Sequence, residues 1–214
     1  VIALLAAAAL LAPSTVLTKY AAALAAVREP HAFAVRYLLE QAGTRSIEET
    51  HRIFRSGNDE RDEVVAVNGT RATHPEVRIF HGRPYHYAVS RLAPRASSYA
   101  FDYVGPRKDG HHVDYVFRLT PLHAGSFTLT SVAIDGLSFL PAMVTFATVH
   151  EGHGTVTFAK NGRYWVARGA EASAREKDGE AHESLSFSDW HFPSALPAST
   201  FAAARPLPSD PPAL

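Results

Sequence analysis

The chain has no cysteine and only one methionine. A disulfide framework and thiolate metal sites are therefore excluded, and cysteine usage says nothing of the redox compartment. Neither charge is in excess: 21 Lys and Arg balance 21 Asp and Glu, for a formal net charge of zero. The chain as a whole has no electrostatic reason to bind nucleic acid or anionic lipid, which leaves open only a local patch. No apolar run is long enough to cross a bilayer as a helix. A nucleophile elbow, a Walker loop and a dinucleotide-binding glycine fingerprint are all missing. What is abundant is apolar sequence, 46% of 214 residues against 20% charged, which marks a globular chain with enough material for one good core. Histidine is also frequent at 12 residues, so mild acid makes the chain basic.

The opening stretch "VIALLAAAALLAPS" has the length of a signal-peptide apolar region followed by small residues. No basic segment precedes it, so residues 1–14 read as a truncated signal peptide, with a mature start near 13–19. A buried Ala/Leu helix is the alternative. No cysteine follows the run, so it is not a lipoprotein signal and predicts no lipid anchor.

Residues 16–30 place Leu17, Tyr20, Leu24 and Val27 three and four apart, one face of a helix stopped at Pro30. The period then drops to two. Phe33, Val35, Tyr37 and Leu39 alternate with Arg36 and Glu40 in a half-buried strand that ends at Gly43. Strands at 46–57 and 60–69 follow, heavily charged and about one hairpin apart. Residues 75–95 read as a short strand at 77–80, a turn at Gly82-Arg83-Pro84 and a helix of about ten residues. Further strands are predicted at 99–104, 113–120, 127–134, 139–150, 155–160, 164–168 and 183–191. Asp135-Gly136 marks a hairpin in which a two-residue turn pairs Ile134 with Leu137 and a four-residue turn pairs it with Phe139. From 202 to 214 the Pro-rich tail predicts disorder. With no repeat and no internal linker, residues 15–201 form one domain.

A sheet of some ten antiparallel strands must curl, split or close, because twist accumulates from strand to strand. Two short helices are too few to cover it. The fold class is therefore mainly β: a curved antiparallel sheet forming an incomplete half-barrel, with helices over its hydrophobic concave face. A transmembrane barrel needs an uncharged lipid-facing set on every strand, whereas residues 46–63 carry charge on both parities.

Few residues organise chemistry. His150 and His153 are three apart beside glycines, not four apart on a helix as zinc proteases require, and read as a hairpin turn. His111 and His112 follow Asp109-Gly110, and adjacent strand residues point to opposite faces. Asn68-Gly69-Thr70 fits a glycosylation acceptor, but Asn-Gly is first a turn dipeptide. Arg95 and Arg107 flank an aromatic stretch that could meet single-stranded nucleic acid, which zero net charge disfavours. What remains is a surplus of apolar strand residues: Phe33, Val35, Tyr37, Tyr115, Phe117, Leu119, Val132, Ile134 and Phe146. They are either packed core or the wall of a cavity for acyl chains, since such sites are mostly apolar with few polar groups.

The element order carries a resemblance. A helix "YAAALAAV", a strand "HAFAVRYLLEQAG" and charged strands "THRIFRSGNDERDEVVAVNG" come first. Later come "YVFRLTP", "VAIDGLSFLPAMVTF", "GTVTFAKNGRYWV" and "LSFSDWHFPSALPASTF". Over about 18–201 this resembles the periplasmic lipoprotein-localisation carriers (LolA-like) and the related RseB-type regulators. Asp135 with Leu140-Pro141 looks like the family's hairpin, and Phe192-Pro193 to Phe201 like its closing segment. The resemblance implies curved, incomplete barrels with helices over a hydrophobic cavity. The family's cavity arginine has no residue-by-residue match among Arg36, Arg52 and Arg61, so none of these inherits that role.

The leading expectation is an exported, periplasmic or secreted, monomeric protein that is not an enzyme. It shields the acyl chains of a lipid or lipoprotein, uses no cofactor, binds no nucleic acid and meets a membrane-bound donor or acceptor protein. The alternative is an RseB-like envelope-stress sensor that binds a membrane partner. A hydrolase with a histidine-held metal is the minor alternative.

Overall fold

The computed structural model describes residues 10–43, 46–109, 112–176 and 179–202. Helix α1 (Pro13–Ala26) leads into β1 (Ala32–Ala42), β2 (Ile47–Ser56), β3 (Asp59–Val67) and β4 (Thr70–Phe80). A single helical turn, α2 (Val89–Leu92), precedes β5 (Tyr99–Asp109), β6 (His112–Pro121), β7 (Phe127–Asp135) and β8 (Pro141–Thr148). The long strands β9 (His153–Asn161), β10 (Tyr164–Glu176) and β11 (Gly179–His191) follow, then a 3-10 turn at Ala198–Phe201. All eleven strands form one antiparallel sheet in the order β4-β3-β2-β1-β11-β10-β9-β8-β7-β6-β5. Hairpins make every pairing except β1 with β11, which joins the first strand to the last. The edges β4 and β5 do not meet, so the barrel stays open.

The apolar surface divides in two. Val16, Tyr20 and Leu24 of α1 pack with Phe117, Val132, Ile134, Val144, Val156 and Phe158, so the helix seals the β6–β9 half. Over the β1–β2–β11 half a smaller cluster of Phe33, Val35 and Ile53 packs with Tyr37, Tyr85, Phe187, Trp190 and Phe192.

Several sequence expectations need correction. Helix α1 begins three residues earlier than predicted, with Pro13 in its first turn, and ends at Ala26. The chain is already extended at Val27 (φ −63°, ψ 134°), three residues ahead of Pro30. The strand expected at 77–80 is the full β4, paired to β3 through a turn at Asn68-Gly69, where both residues have positive φ (49° and 73°). That is the twist a two-residue hairpin needs. The polar sequence "TRATHPE" hides a strand that is an edge, and Pro75 falls where the β3–β4 pairing skips. The ten-residue helix near 85–95 is only α2. Strands β10 and β11 run longer than predicted because small and polar residues extend them as an exposed hairpin. Strand β8 is shorter.

Neither predicted turn fits the β7–β8 hairpin: Ile134 pairs with Pro141 across a five-residue connection, 136–140. Asp135 Oδ2 accepts from the Ser138 backbone N–H at 2.7 Å and its hydroxyl at 2.6 Å, and Phe139 turns left-handed at φ 57°. His150 lies in the β8–β9 turn and His153 opens β9, both exposed. Asp109 pairs with His112 across a hairpin whose tip, Gly110-His111, is outside the described residues. Residues 1–9 of the expected leader and 203–214 of the expected tail are outside them too.

Candidate functional site: an aromatic-roofed groove

Alternation puts Phe33, Val35, Tyr37 and Leu39 on one face of β1. Register then sets Val35 opposite Ile53, and Tyr37 between His51 of β2 and Phe187 of β11. Tyr37 stacks on His51 with ring centroids 4.3 Å apart and meets Phe187 at 5.9 Å. The segment 81–88, between β4 and α2, crosses this face as a strap. It is pinned by the Arg83 N–H to the Asn58 carbonyl at 2.9 Å, and the Arg55 guanidinium bonds the Arg83 carbonyl. The strap holds Tyr85 against Phe33 at 5.1 Å and Tyr87 against Phe187 at 5.2 Å. Between strap and sheet lies an open groove of about 520 Å³.

Its two walls differ. Val35, Tyr37, Leu39, Ile53, Leu185, Phe187 and the strap tyrosines make one wall apolar and aromatic. Glu49, His51, Glu60, Asp62 and Arg78 make the other polar. His51 is 2% exposed, with Nδ1 2.7 Å from Asp62 Oδ1 and Nε2 3.2 Å from Glu49 Oε2. Burial pushes the Tyr87 hydroxyl up to about 12, and drives those of Tyr37 and Tyr85 well above the ordinary phenol range. The Tyr85 hydroxyl is buried without a hydrogen-bond partner among the described residues.

The opposite face of β2–β3 carries a separate buried network. Glu63 accepts from Arg52 Nε at 2.9 Å and Arg61 Nε at 2.6 Å, and Arg61 donates to the Thr200 carbonyl at 3.1 Å. Arg36 stands 3.8 Å from Asp189. The arginines that line the groove are Arg78 and Arg83.

Of the nine apolar residues singled out from the sequence, Val35 and Tyr37 line the groove and Phe33 packs beneath it. Tyr115, Phe117, Leu119, Val132 and Ile134 pack under α1, none above 5% exposed. Phe146 lies half-buried at the margin of that core, stacked on Phe127 at 5.0 Å. Sequence reasoning missed Leu185 and Phe187, although "SLSFSDW" alternates, and Tyr85 and Tyr87, which fall in a stretch whose spacing predicts a helix but which forms the strap. Among the described residues, no three His, Asp or Glu come together as a metal site, and Arg107 is paired with Asp114 at 2.7 Å.

No protein-family model and no curated protein matches the sequence. Solved structures do. An outer membrane lipoprotein-sorting protein domain from Vibrio parahaemolyticus superposes with a TM-score of 0.50 at 15% identity, over 87% of this chain and 95% of that one. A DUF1329 family protein from Desulfovibrio piger also gives 0.50, at 8% identity, over 88% and 96%. A LolA superfamily protein from Nitrosomonas europaea gives 0.48 at 15% identity, over 91% and 99%. At such identities the likeness establishes architecture alone: the chain has a LolA-like fold, an open antiparallel half-barrel with helices against its sheet.

Proposed function

We propose that this protein is an exported, non-enzymatic carrier that shields an acyl chain of a lipid or lipoprotein in the groove beneath the 81–88 strap. The observation that carries the reading is the groove itself, an open space of about 520 Å³ with an aromatic roof and an apolar wall in a LolA-like sheet. Its size falls in the ordinary range of small-molecule sites. Burying a chain returns about 0.8 kcal/mol per methylene, so a 16-carbon acyl group offers on the order of 10 kcal/mol before the costs of association. Binding of that strength needs no catalytic group. The buried Tyr85 hydroxyl is a donor suited to an ester carbonyl at the polar end of the guest. Tyr115, Phe117, Leu119, Val132, Ile134 and Phe146 would join the site only for a guest that displaces α1. The lipoprotein-sorting role for which the Vibrio protein is named is extended to this chain as part of the proposal. A membrane-bound donor or acceptor would load and unload the groove.

Native mass spectrometry of the freshly purified chain should show co-purified lipid, and a fluorescent fatty acid should bind saturably. Phe187→Asp puts a charge on the apolar wall and should weaken the probe by tenfold or more. No lipid and no saturable binding would end the carrier reading.

A further inference from the structure

A second groove, of about 630 Å³, shares no residue with the first. It lies where the C-terminal end of α1 meets the tips of the β7–β8 and β9–β10 hairpins, and its lining includes Arg28, Lys160 and Arg163 against the single carboxylate of Glu29. Glu29 is already used, since its Oε1 accepts the Ser90 backbone N–H at 2.8 Å. Among the described residues none of the three cations has an ion-pair partner, and a fourth, Lys19, sits 4.9 Å over the Phe139 ring. A chain with no net charge thus concentrates unpaired positive charge at one end.

The chemistry beside the cations is interfacial. Lys160 stands directly opposite Trp165 in the β9–β10 ladder, so both lie on one face. The Trp165 indole donates to the Pro141 carbonyl at 2.8 Å, tying the two hairpins together. Arg163 lies over the Tyr164 ring and donates to its hydroxyl at 2.7 Å. The β7–β8 tip adds Leu137, at 78% the most exposed large apolar side chain among the described residues. This leucine is not loose. The Asp135 bonds to Ser138 and the Gly136 N–H to the Val113 carbonyl at 2.9 Å tie the turn that carries it, and its neighbours Phe139 and Leu140 are part-buried against the core. An exposed apolar tip next to a groove lined by three cations and a half-buried Trp and Tyr is what an anionic bilayer surface binds.

We propose that this end of the molecule docks on an anionic phospholipid surface, with Leu137 entering the headgroup layer and Arg28, Lys160 and Arg163 meeting the phosphates. The proposal does not depend on the acyl-chain groove.

Co-sedimentation of the full chain with phosphatidylcholine vesicles, with and without phosphatidylglycerol, tests it. Binding should require the anionic lipid and fall as salt rises. Lys160→Ala with Arg163→Ala should lower the partition coefficient about fivefold per cation removed. Lys160→Arg with Arg163→Lys should restore it, and Leu137→Asp should weaken it without removing charge. All these positions are exposed, so thermal midpoints should hold, and fatty-acid binding in the first groove should not change. Should a variant unfold, Arg28→Ala and the salt titration of the wild-type chain decide the same question. Equal binding to neutral vesicles, or none to either, would overturn the proposal, as would an undiminished double alanine variant. Displacement by inorganic phosphate at constant ionic strength would also overturn it, by assigning the cations to a free anion.

Discussion

Phe117 shows how much a residue's partners matter. It alternates cleanly in β6, as a cavity residue would, yet it is 1% exposed and meets Phe101 at 6.0 Å and Tyr103 at 5.2 Å. Phe117→Ala should therefore cost the full amount for a packed core aromatic, about 3–5 kcal/mol. Urea unfolding would measure it, and a much smaller loss would mean that α1 leaves space over β6. Tyr87 belongs to the other surface. Burial raises its hydroxyl from 10.0 to about 12 in the folded chain. Below the lower value both states keep the proton, and the contribution to stability is fully present. Between the two values the unfolded chain ionises first, so stability should fall as pH rises through that window. Tyr87→Phe should make the fall in urea midpoint shallower, and an unchanged slope would remove Tyr87 from the account.

At the scale of elements, the hairpins are set by short signals and by close approach. Asn68-Gly69 and Asp135 each end a strand with their own backbone or side-chain preference. Gly154 opens the inner part of β9 because a side chain has no room there. A Cβ would run into the Glu171 carbonyl of β10, and would lie 2.5 Å from the Phe146 ring of β8. Gly154→Ala should destabilise the fold by about 1–3 kcal/mol through overpacking, and combining it with Phe146→Leu should return part of that. Calorimetry on the single and double variants checks this. Equal losses would show that the backbone clash alone matters.

At the scale of the molecule, the β1–β11 seam ties the chain's first strand to its last along most of β1, from Ala34 to Ala42. Contacts that distant in sequence form only after much of the chain is ordered, so folding should be slow for this size. Helix α1 stands at the other critical boundary. The expected signal segment, residues 1–14, overlaps the first two residues of α1, which begins at Pro13, and Val16 on the helix's inner face is 0% exposed. Cleavage on export that spares α1 should therefore leave a mature chain starting at Ala12 or Pro13. N-terminal sequencing of secreted material reads this directly, and a mature chain that kept residues 1–11 would end the export reading.

By itself the sequence determined the strand-rich antiparallel meander, two of the three buried residues of α1 (Tyr20 and Leu24, but not Val16) and most hairpin positions. Those features rest on local physics, namely period-two alternation, turn dipeptides and helical spacing, and each is visible within a few residues, whereas the resemblance to LolA-like carriers rests on the order of elements over about 18–201. Only the tertiary structure decided which apolar face is filled and which stays open. Val35 and Phe117 look alike in their strands, because alternation shows that a side is covered without showing by what. Helix α1 covers Phe117 and its neighbours, whereas the 81–88 strap leaves a groove above Val35 and Tyr37. The same limit hid the basic end. Arg28, Lys160 and Arg163 are scattered along a neutral sequence, and they meet only because the sheet order brings the β9–β10 turn to the end of α1.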